Sequence, residues 1–356
     1  PRGNTMSSEV EELQPGMKFG PYHLLEEIGE GAMARVFSAR VMGASGFQKE
    51  IALKVVHQQL AESQPQMIRS MINEARIGGL LSHPNIVQTL SFQEFRGRHL
   101  LAMEYVEGPT FRTLVDQLAE QGRLLPPGIV ADVGMQICRG LQHAIERDGL
   151  EGQPLNLVHR DLKPENLILA QGGLVKILDF GIARSTANLY LTTTMNLTRG
   201  TPCYMSPEQL RGEELDGRSD LFALGCVLYE LLMGETLFQE AGFKLVQKVL
   251  EGDISDNLAR AHERSPALAA IIAKLLERPL KKRYTSAVEC EPHLAQVMRT
   301  EMAYPDLSTV ARIYSQGELP SWDDAPAPQP SIEVSDKPPS GKAGGFWDWL
   351  KSMFGM

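Results

Sequence analysis

From residue 22 to residue 105 the chain alternates apolar and polar positions in short runs, the period of two that predicts strands with one buried face. Residues 22–28 and 36–40 flank a glycine-rich turn, and residues 50–56 place Ile51, Leu53 and Val55 on one side. Residues 86–92 and 99–105 carry the same pattern. A helix is predicted over 65–81, where Met67, Met71, Ala75 and Leu81 recur at helical spacing. Beyond Glu107 the period lengthens. Ile129, Val133, Ile137, Leu141 and Ile145 mark a helix over 128–147, and residues 220–233 are almost wholly apolar after Asp220, the mark of a buried helix. Residues 241–251, 266–277 and 286–298 are further helices on this reading.

The pattern therefore predicts an α+β protein with two lobes: a small β-rich N-lobe with one main helix over 19–106, and a larger α-helical C-lobe over 107–300. Residues 1–18, polar and acidic, are expected to be a flexible tail. Residues 301–356 are expected to form a C-terminal linker and an amphipathic end segment, since 319–345 are rich in Pro, Ser, Gly and Asp. No internal repeat is visible.

Composition narrows the function. The 356 residues carry 35 Lys+Arg against 44 Asp+Glu, a formal charge of -9. That balance argues against nucleic acid as the main partner, because a phosphate backbone is bound through clustered cations. Cys138, Cys203, Cys226 and Cys290 are scattered and form no C-x-x-C pair, so neither a disulfide framework nor a zinc ribbon is expected. No run of about 18 uninterrupted apolar residues suggests a membrane span. A cytoplasmic protein without a transmembrane span is the expectation.

Four segments carry chemistry. Gly29-Glu30-Gly31-Ala32-Met33-Ala34-Arg35-Val36 lets backbone N–H groups approach phosphate oxygens without a Cβ in the way, although such a turn alone is weak. It is followed by a strand and not a helix, which excludes a dinucleotide fingerprint. Lys54 lies on the next apolar strand, where a buried lysine needs an anion such as a phosphate or Glu74; a surface lysine at a strand edge is the competing reading. The run Val158-His159-Arg160-Asp161-Leu162-Lys163-Pro164-Glu165-Asn166-Leu167 packs a carboxylate, a cation and an amide into one short segment. Phosphoryl transfer needs these groups: a carboxylate for the attacking hydroxyl, oxygen ligands for Mg²⁺, and a cation beside the transferred group. Lys176-Ile177-Leu178-Asp179-Phe180-Gly181 then puts a second carboxylate at the end of an apolar strand.

Together with Ser206-Pro207-Glu208, these segments occur in the order of the protein-kinase signature set. Over about residues 19–300 the chain resembles the eukaryotic-like (Hanks-type) serine/threonine protein kinases, in a style that looks bacterial. The resemblance implies an ATP site between two lobes, with ATP and Mg²⁺ (Mn²⁺ as the other candidate) as cofactors. Residue by residue it implies that Ile28, Gly29 and Gly31 cover the nucleotide, and that Lys54 grips the phosphates and pairs with Glu74. Val36, Ala52 and Ile168 would enclose the adenine. Met103 would be the gatekeeper, with the backbone of Glu104 and Val106 meeting the base. Asp161 would be the catalytic base, Lys163 would stabilise transferred charge, and Asn166 and Asp179 would hold the metal. Thr201 would bridge Asp161 and Lys163, Asp220 would brace the catalytic loop, and Glu208 with Arg283 would form a structural ion pair. Lys163, with Gly200-Thr201-Pro202-Cys203-Tyr204, resembles the serine/threonine pattern, so protein substrates with such hydroxyls are expected. The competing readings are a pseudokinase-type binding or scaffold module, which would be expected to lack one of Lys54, Asp161, Asn166 or Asp179, and a small-molecule phosphotransferase.

Some positions depart from the family pattern. The third loop glycine is Ala34, Ser206 stands where an alanine is usual, and Gly78 replaces an apolar residue one turn after Glu74, which predicts a more loosely packed helix. Arg160 implies a phosphate reader, with Thr192, Thr193, Thr194 and Thr198 as acceptors for autophosphorylation. Phe346, Trp347, Leu350, Met353 and Phe354 fall on one helical face, so segment 346–354 is expected to dock onto a partner or the kinase itself, ahead of a disordered end or membrane contact.

Overall fold

The computed structural model describes residues 12–31, 34–43, 46–58, 63, 65–149, 152–180, 202–301 and 305–322, without the side chains of 65–67, 70 and 74. The chain divides into two compact units, one built around residues 12–83 and 87–106, the other around 84–86 and from 107 onward. The fold is α+β, as expected.

The first unit is a six-stranded antiparallel sheet in the order β1-β2-β3-β4-β6-β5, with strands Lys18–Phe19, Tyr22–Glu30, Ala34–Met42, Gln48–Val56, Thr89–Phe95 (β5) and Arg98–Glu104 (β6). Helix α1, Pro65–Gly78, is its single described helix. Alternation decides which face is buried. Phe37, Ala39, Ile51, Leu53, Val55, Leu100 and Ala102 point to one side and pack with Leu13, Phe19, Tyr22 and Leu24. The expected flexible tail 1–18 is corrected at its end: Leu13 is 1% exposed in this core, and Arg35 Nη1 donates to its carbonyl at 2.9 Å. An apolar side chain with a face to bury is not left in solvent.

The strand expected from residue 86 begins instead at Thr89. Ile86 forms an isolated parallel bridge with Ile177 and belongs to the second unit. The loose packing expected at Gly78 is also corrected. A Cβ there would lie 2.6 Å from Thr89 Oγ1, so strand β5 already occupies the space a side chain would take.

The second unit is helical apart from one hairpin. Its described helices are α2 Phe111–Glu120, α3 Pro127–Glu146, α4 Pro207–Arg211, α5 Gly217–Met233, α6 Gly242–Glu251, α7 Ser255–Arg264, α8 Pro266–Leu275, α9 Ala287–Thr300 and α10 Leu307–Ser315. Strands β7 Leu167–Ala170 and β8 Leu174–Ile177 pair antiparallel in the register Leu167↔Ile177 to Ala170↔Leu174. Helix α5 is buried from Ser219 to Leu232, which explains its almost unbroken apolar sequence. Among the described residues no helix is long and apolar enough to cross a membrane, and all four cysteines are buried and unbridged.

Candidate active site

In the first unit, strand register gathers the residues expected at the nucleotide. Val36 pairs with Lys54, Lys54 with Leu101, and Ala52 with Met103. Directly opposed residues share a face, as do residues two apart, so Val36, Ala52, Lys54 and Met103 all lie on the face opposite the Phe37–Leu53 core. Gly29 pairs with Val36 next to an irregularity between Glu27 and Gly29, and Gly31 N–H donates to the Ala34 carbonyl at 2.9 Å. The described ends of the glycine turn are thereby anchored to strand β3, with Ile28 46% exposed beside them. Ala34 is buried in strand β3, where its methyl fits. Glu104 ends strand β6 with its N–H donated to the Gln88 carbonyl, and Val106 follows outside the sheet. Glu74 lies in α1, but its side chain is outside the described residues.

In the second unit the catalytic loop has no ladder to hold it and relies on buried polar anchors. Asp220, 2% exposed in the first turn of α5, accepts the His159 N–H at 2.6 Å and the Arg160 N–H at 2.8 Å. Burial raises the Asp220 carboxyl above its usual range, while the charge and N–H of His159 and the N–H of Arg160 pull it down and lose. Arg160 has φ 67 and Asp179 φ 45, left-handed backbone at non-glycine positions. Such strain marks a segment over-determined by its surroundings. Further bonds do this here. His159 Nε2 meets the Leu178 carbonyl at 2.8 Å, its ring packs edge-on against Phe180, and Gln209 Nε2 donates to the Arg160 carbonyl at 2.7 Å.

These anchors bring three predicted groups together. Lys163 Nζ lies 3.2 Å from Asp161 Oδ2, and Asn166 Nδ2 donates to the same oxygen at 3.1 Å and to the Asp161 carbonyl at 2.8 Å. Leu178 N–H donates to the Asn166 carbonyl at 2.8 Å, which sets Asp179 one residue beyond that pairing. The amide of Asn166 spends its nitrogen on Asp161 and keeps its oxygen as an acceptor. An amide oxygen and a carboxylate on adjoining strand ends suit Mg²⁺, which takes one or two protein oxygens and completes its shell with water and phosphate. Ile168, in β7, bridges to Thr110.

The structural pair is present. Arg283 Nη1 contacts Glu208 Oε1 at 2.7 Å, with the two side chains 0% and 3% exposed, and Ser219 donates to the same oxygen. Burial raises the Glu208 carboxyl, but the bond and charge of Arg283 outweigh it and hold Glu208 below the usual carboxylate range. Ser206 has its own local role: its hydroxyl accepts the Gln209 N–H and the Gln209 side chain returns to its N–H, a reciprocal cap on α4. Thr192, Thr193, Thr194, Thr198, Thr201 and segment 346–354 lie outside the described residues.

Sequence reasoning missed one network. Arg112 on α2 reaches buried Glu230 at 2.7 Å, Tyr204 at 2.7 Å and Glu165 at 3.2 Å, and Tyr204 donates to Glu230. Burial and then the nearby carboxylates push the Cys203 thiol up to about 12, so it stays protonated. The signal available was a glutamate inside the apolar α5 run, which demands a cation from elsewhere.

Known proteins resemble this chain. The protein kinase domain matches residues 22–297. The tyrosine-protein kinase MasK of Myxococcus xanthus is 37% identical over 276 residues, 77% of this chain and 42% of that protein. The serine/threonine-protein kinases PknB of Mycolicibacterium smegmatis and PknH of Mycobacterium bovis are 32% and 30% identical, over 87% and 93% of this chain and 49% and 53% of theirs. The chain thus spans about half the length of these curated relatives or less. The crystallised kinase domain of PknI from Mycobacterium tuberculosis superposes with a TM-score of 0.56 at 22% identity, covering 80% of this chain and 99% of that one, a likeness of fold. With the protein kinase domain matched over residues 22–297, most of this chain, the chain belongs to the protein kinase domain family.

Proposed function

We propose that this chain transfers the γ-phosphoryl group of ATP to serine or threonine hydroxyls of proteins. The observation that carries the reading is the convergence of Lys163 Nζ and Asn166 Nδ2 on one oxygen of Asp161, at 3.2 and 3.1 Å. Asp161 is thereby oriented to accept the proton of an incoming hydroxyl. Lys163, beside it, offsets charge on the transferred group. Asn166 and Asp179 would hold Mg²⁺, which when bound neutralises charge on the phosphates. Lys54, on the nucleotide-facing side of the first unit's sheet, takes the phosphate tail, with Val36, Ala52 and Met103 against the base. The four residues whose loss would suggest a pseudokinase are all present.

The hydroxyl type rests on Lys163, two residues after Asp161, and on the names of the PknB and PknH relatives. The name of the MasK relative favours a second reading, tyrosine. Incubation with labelled ATP, Mg²⁺ and a generic basic protein, followed by phosphoamino-acid analysis, separates them. Phosphoserine or phosphothreonine is expected, lowered by about 10²-fold or more in Lys54→Met and Asp161→Asn. Phosphotyrosine alone would refute the hydroxyl assignment, and no transfer at all would refute the activity. Repeating the assay with Mn²⁺ decides the metal.

Autophosphorylation among Thr192, Thr193, Thr194 and Thr198, with Arg160 reading the product, belongs to the same proposal, as does docking of segment 346–354. Four unbridged buried cysteines support a reducing, cytoplasmic setting.

A further inference from the structure

Helix α10 lies beyond residue 297, where the kinase-domain match ends. It is a built element: Asp306 caps it by accepting the Thr309 N–H at 2.9 Å, and Leu307, Val310 and Ala311 are 2%, 0% and 5% exposed. Trp322 Nε1 donates to the Pro305 carbonyl at 3.1 Å, folding the following chain back onto the helix entry.

What α10 covers is the turn of the β7–β8 hairpin. That turn uses Gly172 at φ 78 and Gly173 at φ 80. A Cβ on Gly173 would lie 2.4 Å from the Ser308 backbone nitrogen and 2.8 Å from the Leu307 carbonyl carbon. The first turn of α10 thus presses its backbone onto the hairpin at a distance only glycine permits. A Cβ on Gly172 would meet nothing within 4 Å. The two glycines share a backbone conformation, and one alone carries the helix.

The hairpin is the mount for both metal-binding residues. Strand β7 starts directly after Asn166, and β8 ends two residues before Asp179. Two strands of four residues, joined by four register pairs, are marginal alone. Gln136 of α3 grips one side, donating to the Gly173 carbonyl at 3.1 Å and accepting the Val175 N–H at 2.9 Å. Helix α10 closes on the same turn. The turn stands about 13 Å from the Asn166 end, four residues at strand rise, so tilting at the turn moves the metal-binding end. A misplacement of about 1 Å at such a site can cost about 10²-fold in rate.

We propose that α10 is a positioning element of this kinase: by clamping Gly173 it fixes the β7–β8 hairpin and so the spacing of Asn166 and Asp179 toward Mg²⁺. This rests on the kinase reading above. The test compares Gly173→Ala with Gly172→Ala in the full chain. Both impose a side chain on left-handed backbone, and only the first collides with α10. Hydrogen exchange at the Leu178 amide, Mg²⁺ dependence of ATP binding, and kcat against peptide KM are read together.

Gly173→Ala is expected to speed Leu178 exchange by about tenfold, raise half-saturating Mg²⁺ severalfold and lower kcat, with peptide KM within twofold. Gly172→Ala should stay within twofold on every readout. Val310→Ala, a milder loosening of the same helix, should move the same quantities less, and combining it with Gly173→Ala should add little, because both undo one contact. Equal behaviour of the two glycine variants, or loosened α10 with unchanged Leu178 exchange and Mg²⁺ dependence, overturns the proposal. If the wild type transfers no phosphate, the kinase reading fails, while exchange and Mg²⁺-dependent ATP binding still judge the clamp.

Discussion

In the first unit Lys54 is placed by strand register, one of a row of residues whose facing follows from the pleat. In the second unit Asp161 sits on a loop with no ladder, placed by a carboxylate that holds the preceding residue, Arg160, from 60 residues away and by backbone in left-handed conformations. Both regions must hold a charged group steady, and they do so by opposite means. A strand residue inherits its position from neighbours that any apolar side chain can replace. A loop residue depends on specific polar partners, chief among them Asp220, which is 2% exposed. The difference teaches where damage spreads: in the sheet it stays local, in the loop it travels through Asp220.

The sharpest test of the contrast removes chemistry from each side. Asp161→Asn keeps the loop bonded and should lower kcat by about 10²- to 10⁴-fold, as for loss of a general base. Lys54→Met should reduce kcat/KM by about 10²-fold, as for loss of one preorganised charge partner. Both should melt within a few degrees of wild type by calorimetry. A large loss of melting temperature in Asp161→Asn would blur the distinction between chemistry and support.

The supports come next. Arg283→Met leaves buried Glu208 uncompensated and should cost about 3–5 kcal/mol, read as a lowered denaturation midpoint with an unchanged m-value. Glu208 also gives the pH dependence its sign. Its folded pKa is depressed, so its contribution is complete above the unfolded carboxylate value and is lost as pH falls through the folded one. Glu208→Gln should therefore flatten the acid limb of stability between those values, measured by denaturation from pH 6 to pH 3. An unchanged acid limb would mean that Arg283 does not hold that proton off.

The smallest effect belongs to the sheet. Gly78→Ala forces Thr89 aside and should cost about 1–3 kcal/mol, and Thr89→Ala in the same chain should recover most of it. Destabilisation without recovery would place the strain elsewhere.

The catalytic run was legible in the sequence because its groups are close neighbours along the chain, and Val36, Ala52, Lys54 and Met103 because alternation assigns a face directly. Asp220 and Glu208 were legible through the family resemblance, while Gln209 and Arg112 were not: their partners lie 49 and 92 residues away, and nothing local declares the pairing. Helices α2, α4, α7 and α10 escaped; in α7 the buried residues are only Leu258 and Ala261, too sparse a stripe to declare a helix. In α10 the buried stripe is Leu307, Val310 and Ala311, and the small alanine gives little apolar signal until the glycine turn beneath it is known. Gly78 was misread for the opposite reason. An absent side chain suggests slack, yet the neighbouring strand had moved in.

The pairing of Asp220 with His159 and Arg160 also sets an order of events during synthesis. A ribosome adding about 5–20 residues per second releases the loop several seconds before the carboxylate it needs, which follows 61 residues later. Through that interval the nascent segment carries its reactive side chains without the contact that arranges them. On the kinase reading proposed above, the catalytic loop gains the contact that arranges it only once the α5 segment has emerged.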